Sequence, residues 1–103
     1  MTHYLKTDKD VWLAVFNLEK TFEIRKNDRN FQVDDVLVLR PTRHTGAEMA
    51  NGEPLEYLPQ EPIHAIVIYI LNGPIYGLAE GWCIMSINTL VSVEYQEPTP
   101  TAT

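Results

Sequence analysis

The longest apolar run in the chain has nine residues, from Ile63 to Leu71, and only His64 interrupts it. A helix that crosses a bilayer needs about 20 apolar residues, so this run is too short to span a membrane. A short run that is apolar at odd and even positions alike is typical of a strand covered on both faces. We therefore expect residues 63–71 to form the central strand of a sheet, with His64 as a hydrogen-bonded core histidine.

The N-terminal part of the sequence predicts one strand followed by one helix. Residues 3–6 form a short first strand, and Thr7 then has the character of a helix N-cap. Apolar residues recur downstream at helical spacing, which predicts an amphipathic helix over residues 8–18 that packs against the central strand. The stripe that carries this prediction consists of Val11, Trp12, Val15 and Phe16.

Several further strands follow from alternation and short apolar runs. In residues 20–26, Phe22 and Ile24 share one face of a predicted strand, and the polar side chains between them share the other. After a turn at residues 27–30, Phe31 and Val33 are expected to re-enter the core. The remaining predicted strands are residues 36–39, 82–87 and 90–95, with a glycine-punctuated connection at 76–81.

The stretch from residue 41 to residue 62 is polar and contains four prolines. It also contains Asn51-Gly52, a strong signal for a hairpin turn. We expect a protruding loop or a loose hairpin, which is either a functional arm or an insertion.

Length and composition indicate one α+β domain, mainly β. A chain of 103 residues has room for one hydrophobic core, which we place in residues 1–95. Residues 96–103 hold two Pro and three Thr and no apolar anchor, so we expect a disordered tail.

The single cysteine, Cys83, precludes an intrachain disulfide and favours a reducing compartment. With no charged and apolar leader, a cytoplasmic monomer is expected.

Charge is distributed unevenly along the chain. The net charge is −6, which argues against a general nucleic-acid binder. All eight Lys and Arg nevertheless lie within residues 1–43, whereas residues 44–103 carry seven Glu and no base. The chain is thus an acidic body with one basic sector, which is either a solvated charged face or a small binding site.

Metal and cofactor chemistry have no support in the sequence. The three histidines, His3, His44 and His64, are scattered, and Cys83 stands alone, so no zinc-binding spacing exists. No phosphate loop or dinucleotide fingerprint is present. We expect no metal and no cofactor, and we interpret Cys83 as a small core residue.

The polar stretch from Lys20 to Arg29 is the one candidate site. A strand places Glu23 and Arg25 on one face, about 7 Å apart along the chain. Arginine offers a planar fork for phosphate or a base edge, and Glu23 can orient that fork, accept a hydrogen bond or act as a base. Strict alternation puts Lys20 on the opposite face, so a shared site requires a bend. The alternative is an ordinary ion pair in solvent.

This stretch reads Lys20-Thr-Phe-Glu-Ile-Arg-Lys-Asn-Asp-Arg29, and it is followed by Phe31-x-Val-x-Asp-x-Leu-x-Leu39. The two segments together resemble the ASCH domains of the PUA-like superfamily. It is most similar to a small bacterial and phage family of unknown function within that group. In ASCH domains a Gly-x-Lys-x-x-Glu-x-Arg stretch follows the first helix and lines a cleft, and the charged positions match here. The pattern's glycines are replaced by Leu18 and Asp34. Residues 76–82 also fit, and the match covers roughly residues 3–88.

The resemblance implies a PUA-like mixed β-barrel with one N-terminal helix, and a module that binds RNA or a nucleotide-like ligand. Lys20 and Arg25 would hold phosphate or a base, and Glu23 would orient Arg25. The contact would be extended by Lys26, Arg29 and Arg40.

Two alternatives remain open. Some ASCH relatives are amidohydrolases of acylated cytidine-type nucleosides, which use a lysine, a threonine three residues later and a glutamate. In this chain that threonine position is Glu23. The other alternative is a protein-interaction domain that uses the 41–62 loop.

Overall fold

A computed structural model describes residues 1–90 of the chain. It is mainly β, with one curled sheet of five strands in the spatial order β1-β3-β4-β5-β2 and two helices. Strands β1 and β3 run parallel, and the other neighbouring pairs are antiparallel. The elements are β1 (Thr2–Asp8), α1 (Lys9–Phe16), β2 (Phe22–Lys26), β3 (Val36–Thr42), α2 (Gly46–Ala50), β4 (Ile63–Asn72) and β5 (Trp82–Thr89).

The central position of the apolar run is confirmed, because β4 is the third of the five strands. Its inward residues Ile63, Ala65 and Val67 are fully buried, together with the inward residues of the two neighbouring strands. A β-bulge between Val67 and Tyr69 then reverses which residues face inward. The core lies on the concave side of the sheet and consists of Leu5, Trp12, Val15, Phe31, Leu37, Leu39, Ile63, Ala65, Val67, Cys83, Met85 and Ile87.

Helix α1 closes one end of this core, but its details differ from the prediction. Thr7 belongs to β1, and the N-cap is Asp8, so the helix begins later and ends earlier than expected. Trp12 is buried, and its indole Nε1 donates to the Leu39 carbonyl at 3.0 Å. The helix packs mainly against β3 and β1, not against β4 as predicted, because β1 leads directly into it and β3 is the strand beside β1.

Three predictions about the core are wrong. The run at residues 63–71 is not covered on both faces, since Ile68 is 47% and Tyr69 is 61% exposed. His64 is exposed rather than buried, because its neighbours Ile63 and Ala65 take the inward positions of β4. Val33 is half exposed, whereas Phe31 is buried as expected. His64 and Val33 both have apolar neighbours in the sequence, but in the folded chain their own side chains point away from the core.

The 41–62 stretch is a wide loop that contains a helix. An isolated antiparallel bridge joins Thr42 to Tyr57 and closes the loop at its base. Inside it, Thr45 forms a capping box with Glu48 and starts α2, and Asn51 is the C-cap of that helix. Asn51-Gly52 therefore ends a helix and does not make the hairpin turn that its sequence indicated, because the preceding residues are helical instead of extended.

Residues 73–81 link β4 to β5, and they include the predicted connection at 76–81. A tight turn within them brings Ile75 and Leu78 together as an isolated bridge. The predicted strand at residues 90–95 lies almost wholly outside the described residues, and the tail at 96–103 lies outside them entirely. Neither helix within residues 1–90 has the length and apolar character needed to cross a membrane.

Candidate functional site

The two edge strands of the curled sheet, β1 and β2, are joined by arginine side chains. Arg25 on β2 donates from Nη1 to the Lys6 carbonyl at 3.1 Å and from Nη2 to the Thr7 hydroxyl at 3.3 Å. Arg29 donates from Nη1 to the Tyr4 carbonyl at 3.0 Å. Since side chains and not a backbone ladder span this seam, the sheet stays open here and leaves a cleft.

The three charged residues of the sequence motif converge at this seam. Glu23 lies on the inward face of β2, and only 2% of its side chain is exposed. Its Oε2 is 2.8 Å from Lys20 Nζ, and its Oε1 accepts from Arg25 Nε at 2.9 Å. Both carboxylate oxygens are thereby paired, as a buried carboxylate requires.

A bend before β2 brings Lys20 to the inward side. The strand begins only at Phe22, so Lys20 lies outside the strict alternation. The bend starts at Leu18, whose φ of +62° reverses the chain after α1. The Lys20 amide then donates to the Ala14 carbonyl, and its ammonium also donates to the Phe22 carbonyl. The bend that the sequence required for Lys20 to meet Glu23 and Arg25 is therefore present, and the three side chains converge.

The cleft at the seam has a volume of about 510 Å³. Small-molecule sites in proteins typically measure about 300–1,000 Å³, so this cleft suits a compact ligand. Five basic and three acidic residues line it, which makes its formal charge +2 in a chain of net charge −6. The lining residues are Leu5, Lys6, Thr7, Asp8, Val11, Lys20, Glu23, Ile24, Arg25, Lys26, Asp28, Arg29, Phe31 and Trp82.

The predicted site residues divide into two groups. Lys26 and Arg29 line the cleft beside the central cluster, with exposed side chains. Arg40 does not reach it, because its guanidinium carbon lies 3.7 Å from the ring centroid of Tyr57. That contact places Arg40 under the 41–62 loop.

Residues of the cleft that the sequence analysis missed come mainly from β1 and from the start of β5. Lys6 and Thr7 belong to an edge strand, and Thr7 had been interpreted as a helix cap. Trp82 begins β5 and lines the cleft while 39% exposed. No signal in the sequence indicates this neighbourhood, because it depends on how far the sheet curls.

A second buried polar cluster centres on Asp35. Its Oδ2 lies 2.8 Å from His3 Nε2 and accepts from the Gln32 amide, and its Oδ1 accepts from the Met1 ammonium. Burial raises the pKa of the Asp35 carboxyl, but these hydrogen bonds outweigh it and leave the pKa below its ordinary value of 3.8. The His3 ring also packs edge-on against Phe31, which lines the cleft, so this cluster contacts the cleft lining.

Cys83 is fully buried in the core, as expected, and burial raises the pKa of its thiol. A buried thiol of raised pKa is a poor nucleophile. Within residues 1–90, no three His, Cys, Asp or Glu side chains are grouped as they would be to hold a metal ion. The polar residues that line the cleft offer charge and hydrogen bonding.

These features define a small, mainly β domain with a basic, open cleft where its two edge strands approach. The chain belongs to the family described as Domain of unknown function (DUF3850), whose model matches residues 2–87. That match contains every residue that lines the cleft. No curated protein matches the chain.

Proposed function

We propose that this domain binds RNA or a nucleotide-like ligand in the cleft between β1 and β2. The observation that carries the proposal is the convergence of Lys20, Glu23 and Arg25 in a cleft of positive formal charge on an acidic chain. Five of the eight basic residues of the chain line this one cleft. A local positive site on a negative protein favours a compact anion over a long nucleic-acid track.

The three central residues have different roles in this proposal. Glu23 is enclosed and holds the two cations in place, so it acts through them and does not itself face a ligand. Arg25 has committed Nε, Nη1 and Nη2 to protein acceptors. A phosphate is therefore met mainly by the exposed Lys26 and Arg29, and Lys20 adds its remaining ammonium hydrogen.

We also propose that the fold is the PUA-like β-barrel of ASCH domains. The two positions at which that pattern has glycine, Leu18 and Asp34, have φ values of +62° and +78°. Glycine adopts this left-handed region without steric cost. The backbone thus keeps the shape that glycine serves in the ASCH pattern, which supports the resemblance.

Titration of the chain with a nucleoside monophosphate, the matching nucleoside and a short RNA at several salt concentrations tests the binding proposal. Arg29→Gln should weaken phosphate binding by roughly 10- to 150-fold, because a charge-assisted hydrogen bond contributes about 1.5–3 kcal/mol. Arg43→Gln is the matched control, since Arg43 is half exposed and pairs with Glu56 away from the cleft.

For single strands, each phosphate contact contributes about 0.7 to the steepness with which log affinity decreases against log salt. Arg29→Gln should therefore make this slope less steep by about 0.7, and Arg43→Gln should leave the slope unchanged. Equal effects of the two variants would mean general charge attraction without a site. No binding at low salt would refute the proposal. Release of acid from an acylated cytidine in the same solutions would favour the amidohydrolase alternative.

A further inference from the structure

The outer side of the sheet next to the cleft carries an exposed apolar surface, which we call the aromatic face. In β2 and β5, Phe22 pairs with Ser86 and Ile24 pairs with Ile84, so these four side chains point outward together. On β4, Tyr69 pairs with the same Ser86 and Leu71 with the same Ile84. The aromatic face comprises Phe22, Ile24, Tyr69, Leu71, Trp82, Ile84 and Ser86.

Residues 1–90, which the structure describes, leave the aromatic rings of this face exposed to solvent. Phe22 and Trp82 are each 39% exposed, and Tyr69 is 61% exposed. The bulge after Val67 is the reason that Tyr69 points outward, because unbroken alternation from Val67 would turn it into the core. Three exposed rings on adjacent strands are a surface that needs explanation in a chain of this size.

The aromatic face is continuous with the cleft. Ile24 and Trp82 belong to both, since they line the cleft and also point to the outer side of the sheet. Lys20 joins the two surfaces, because its Nζ is 2.8 Å from Glu23 Oε2 and 4.8 Å from the Phe22 ring centroid. Lys26 lies directly opposite Trp82 in the β2–β5 register.

We infer that the aromatic face is a stacking platform for the bases of a short single-stranded RNA whose phosphate occupies the cleft. This inference rests on the proposed function. Lysines next to exposed rings provide what such a strand requires, namely cations for its phosphates and π-faces for its bases. A purely apolar protein partner would not call for Lys20 and Lys26 at the margin of the face.

The spacing of the rings sets the length of the ligand. Ser86, which is level with Phe22 and Tyr69, is four residues along β5 from Trp82, or about 13 Å. One base cannot reach both ends of the face. Trp82 is the ring that also lines the cleft, so a mononucleotide whose phosphate occupies the cleft should stack on Trp82 alone. Only an oligonucleotide should also reach Tyr69 and Phe22.

The test uses the full chain with uridine monophosphate, the uridine hexanucleotide and an abasic ribose-phosphate hexamer. Trp82→Leu should weaken binding of both uridine ligands by roughly 5- to 150-fold, the equivalent of about 1–3 kcal/mol for one stacked base. Tyr69→Leu should weaken the hexanucleotide only. Tyr4→Leu is the matched control, because Tyr4 is also 61% exposed but lies on β1. None of the three variants should change binding of the abasic hexamer.

A second readout does not depend on removing an aromatic residue of the face. In the Trp12→Phe chain, Trp82 is the sole tryptophan, so its emission should be quenched by the hexanucleotide and not by the abasic hexamer.

Binding that Arg29→Gln weakens while Trp82→Leu and Tyr69→Leu leave it unchanged would overturn the platform and keep the proposed function. Failure of every uridine ligand to bind at low salt would overturn both. Self-association of the chain that Tyr69→Leu abolishes would identify a second copy as the occupant of the face and overturn the inference.

Discussion

Replacement of Arg25 by methionine should destabilise the domain far more than an exposed arginine normally would. Arg25 pairs with Glu23, which is 2% exposed, and it also joins β2 to β1 through Lys6 and Thr7. Methionine keeps the length of the aliphatic part and removes every donor. The variant therefore leaves a buried carboxylate with one cation in place of two, and it opens the seam of the sheet.

The magnitude follows from the contacts. A hydrogen bond to a charged group contributes about 1.5–3 kcal/mol, and a neutral one about 1 kcal/mol. Because Arg25 is 24% exposed and Glu23 retains Lys20, we take the bond to Glu23 at about 1.5 kcal/mol, the lower end of its range, and the two bonds to β1 together at about 1 kcal/mol, and we expect a loss of about 2–3 kcal/mol. For a domain of this size that loss should lower the melting temperature by roughly 10–20 °C.

Urea unfolding of four chains measures the effect: wild type, Arg25→Met, Glu23→Gln and the double variant. The two positions should show a coupling energy of about 1–3 kcal/mol. Arg29→Met is the control, since Arg29 makes one exposed bond across the same seam, to the Tyr4 carbonyl. A loss below about 0.5 kcal/mol for Arg25→Met would place it among ordinary surface residues and refute the reasoning.

Two further predictions concern the core and the acid limit of stability. Trp12→Ala should cost about 3–5 kcal/mol in urea unfolding, because Trp12 is 4% exposed, whereas Ile68→Ala should cost far less, because Ile68 is 47% exposed; equal losses would contradict the assignment of the core. The folded-state pKa of Asp35 is below its ordinary value, so Asp35 stabilises the fold above pH 3.8, and this contribution is lost as the pH falls through the lowered pKa. Asp35→Asn should therefore flatten the acid limb of the stability curve, and an unchanged limb would show that Asp35 is not its source.

Much of the fold could be predicted from sequence because it depends on local pattern. The two-faced apolar run of residues 63–71 identified the central strand, and the Val11–Phe16 stripe identified α1 to within a few residues at each end. Turn chemistry was less reliable. Asn51-Gly52 is a hairpin signal only between extended segments, and the Thr45 capping box makes the preceding segment helical.

The candidate site was predicted in part. Glu23 and Arg25 share a face because alternation is a local property of a strand, and their contact with Lys20 follows from the bend at Leu18. Arg40 does not line the cleft although the sequence grouped it with them, since charge along the chain does not tell which neighbour a side chain meets, and the Arg40 guanidinium meets the Tyr57 ring.

The strand pattern, the basic sector and the charged motif follow from the sequence, because each is fixed by residues close together in the chain. What these residues face depends on the folded chain. The curl of the sheet brings β1 to β2 and so adds Lys6 and Thr7 to the cleft, and the pairing of β2 with β5 adds Trp82. A single bulge after Val67 turns Tyr69 outward and forms the aromatic face. Both depend on packing between segments that are distant in sequence, which no local pattern encodes.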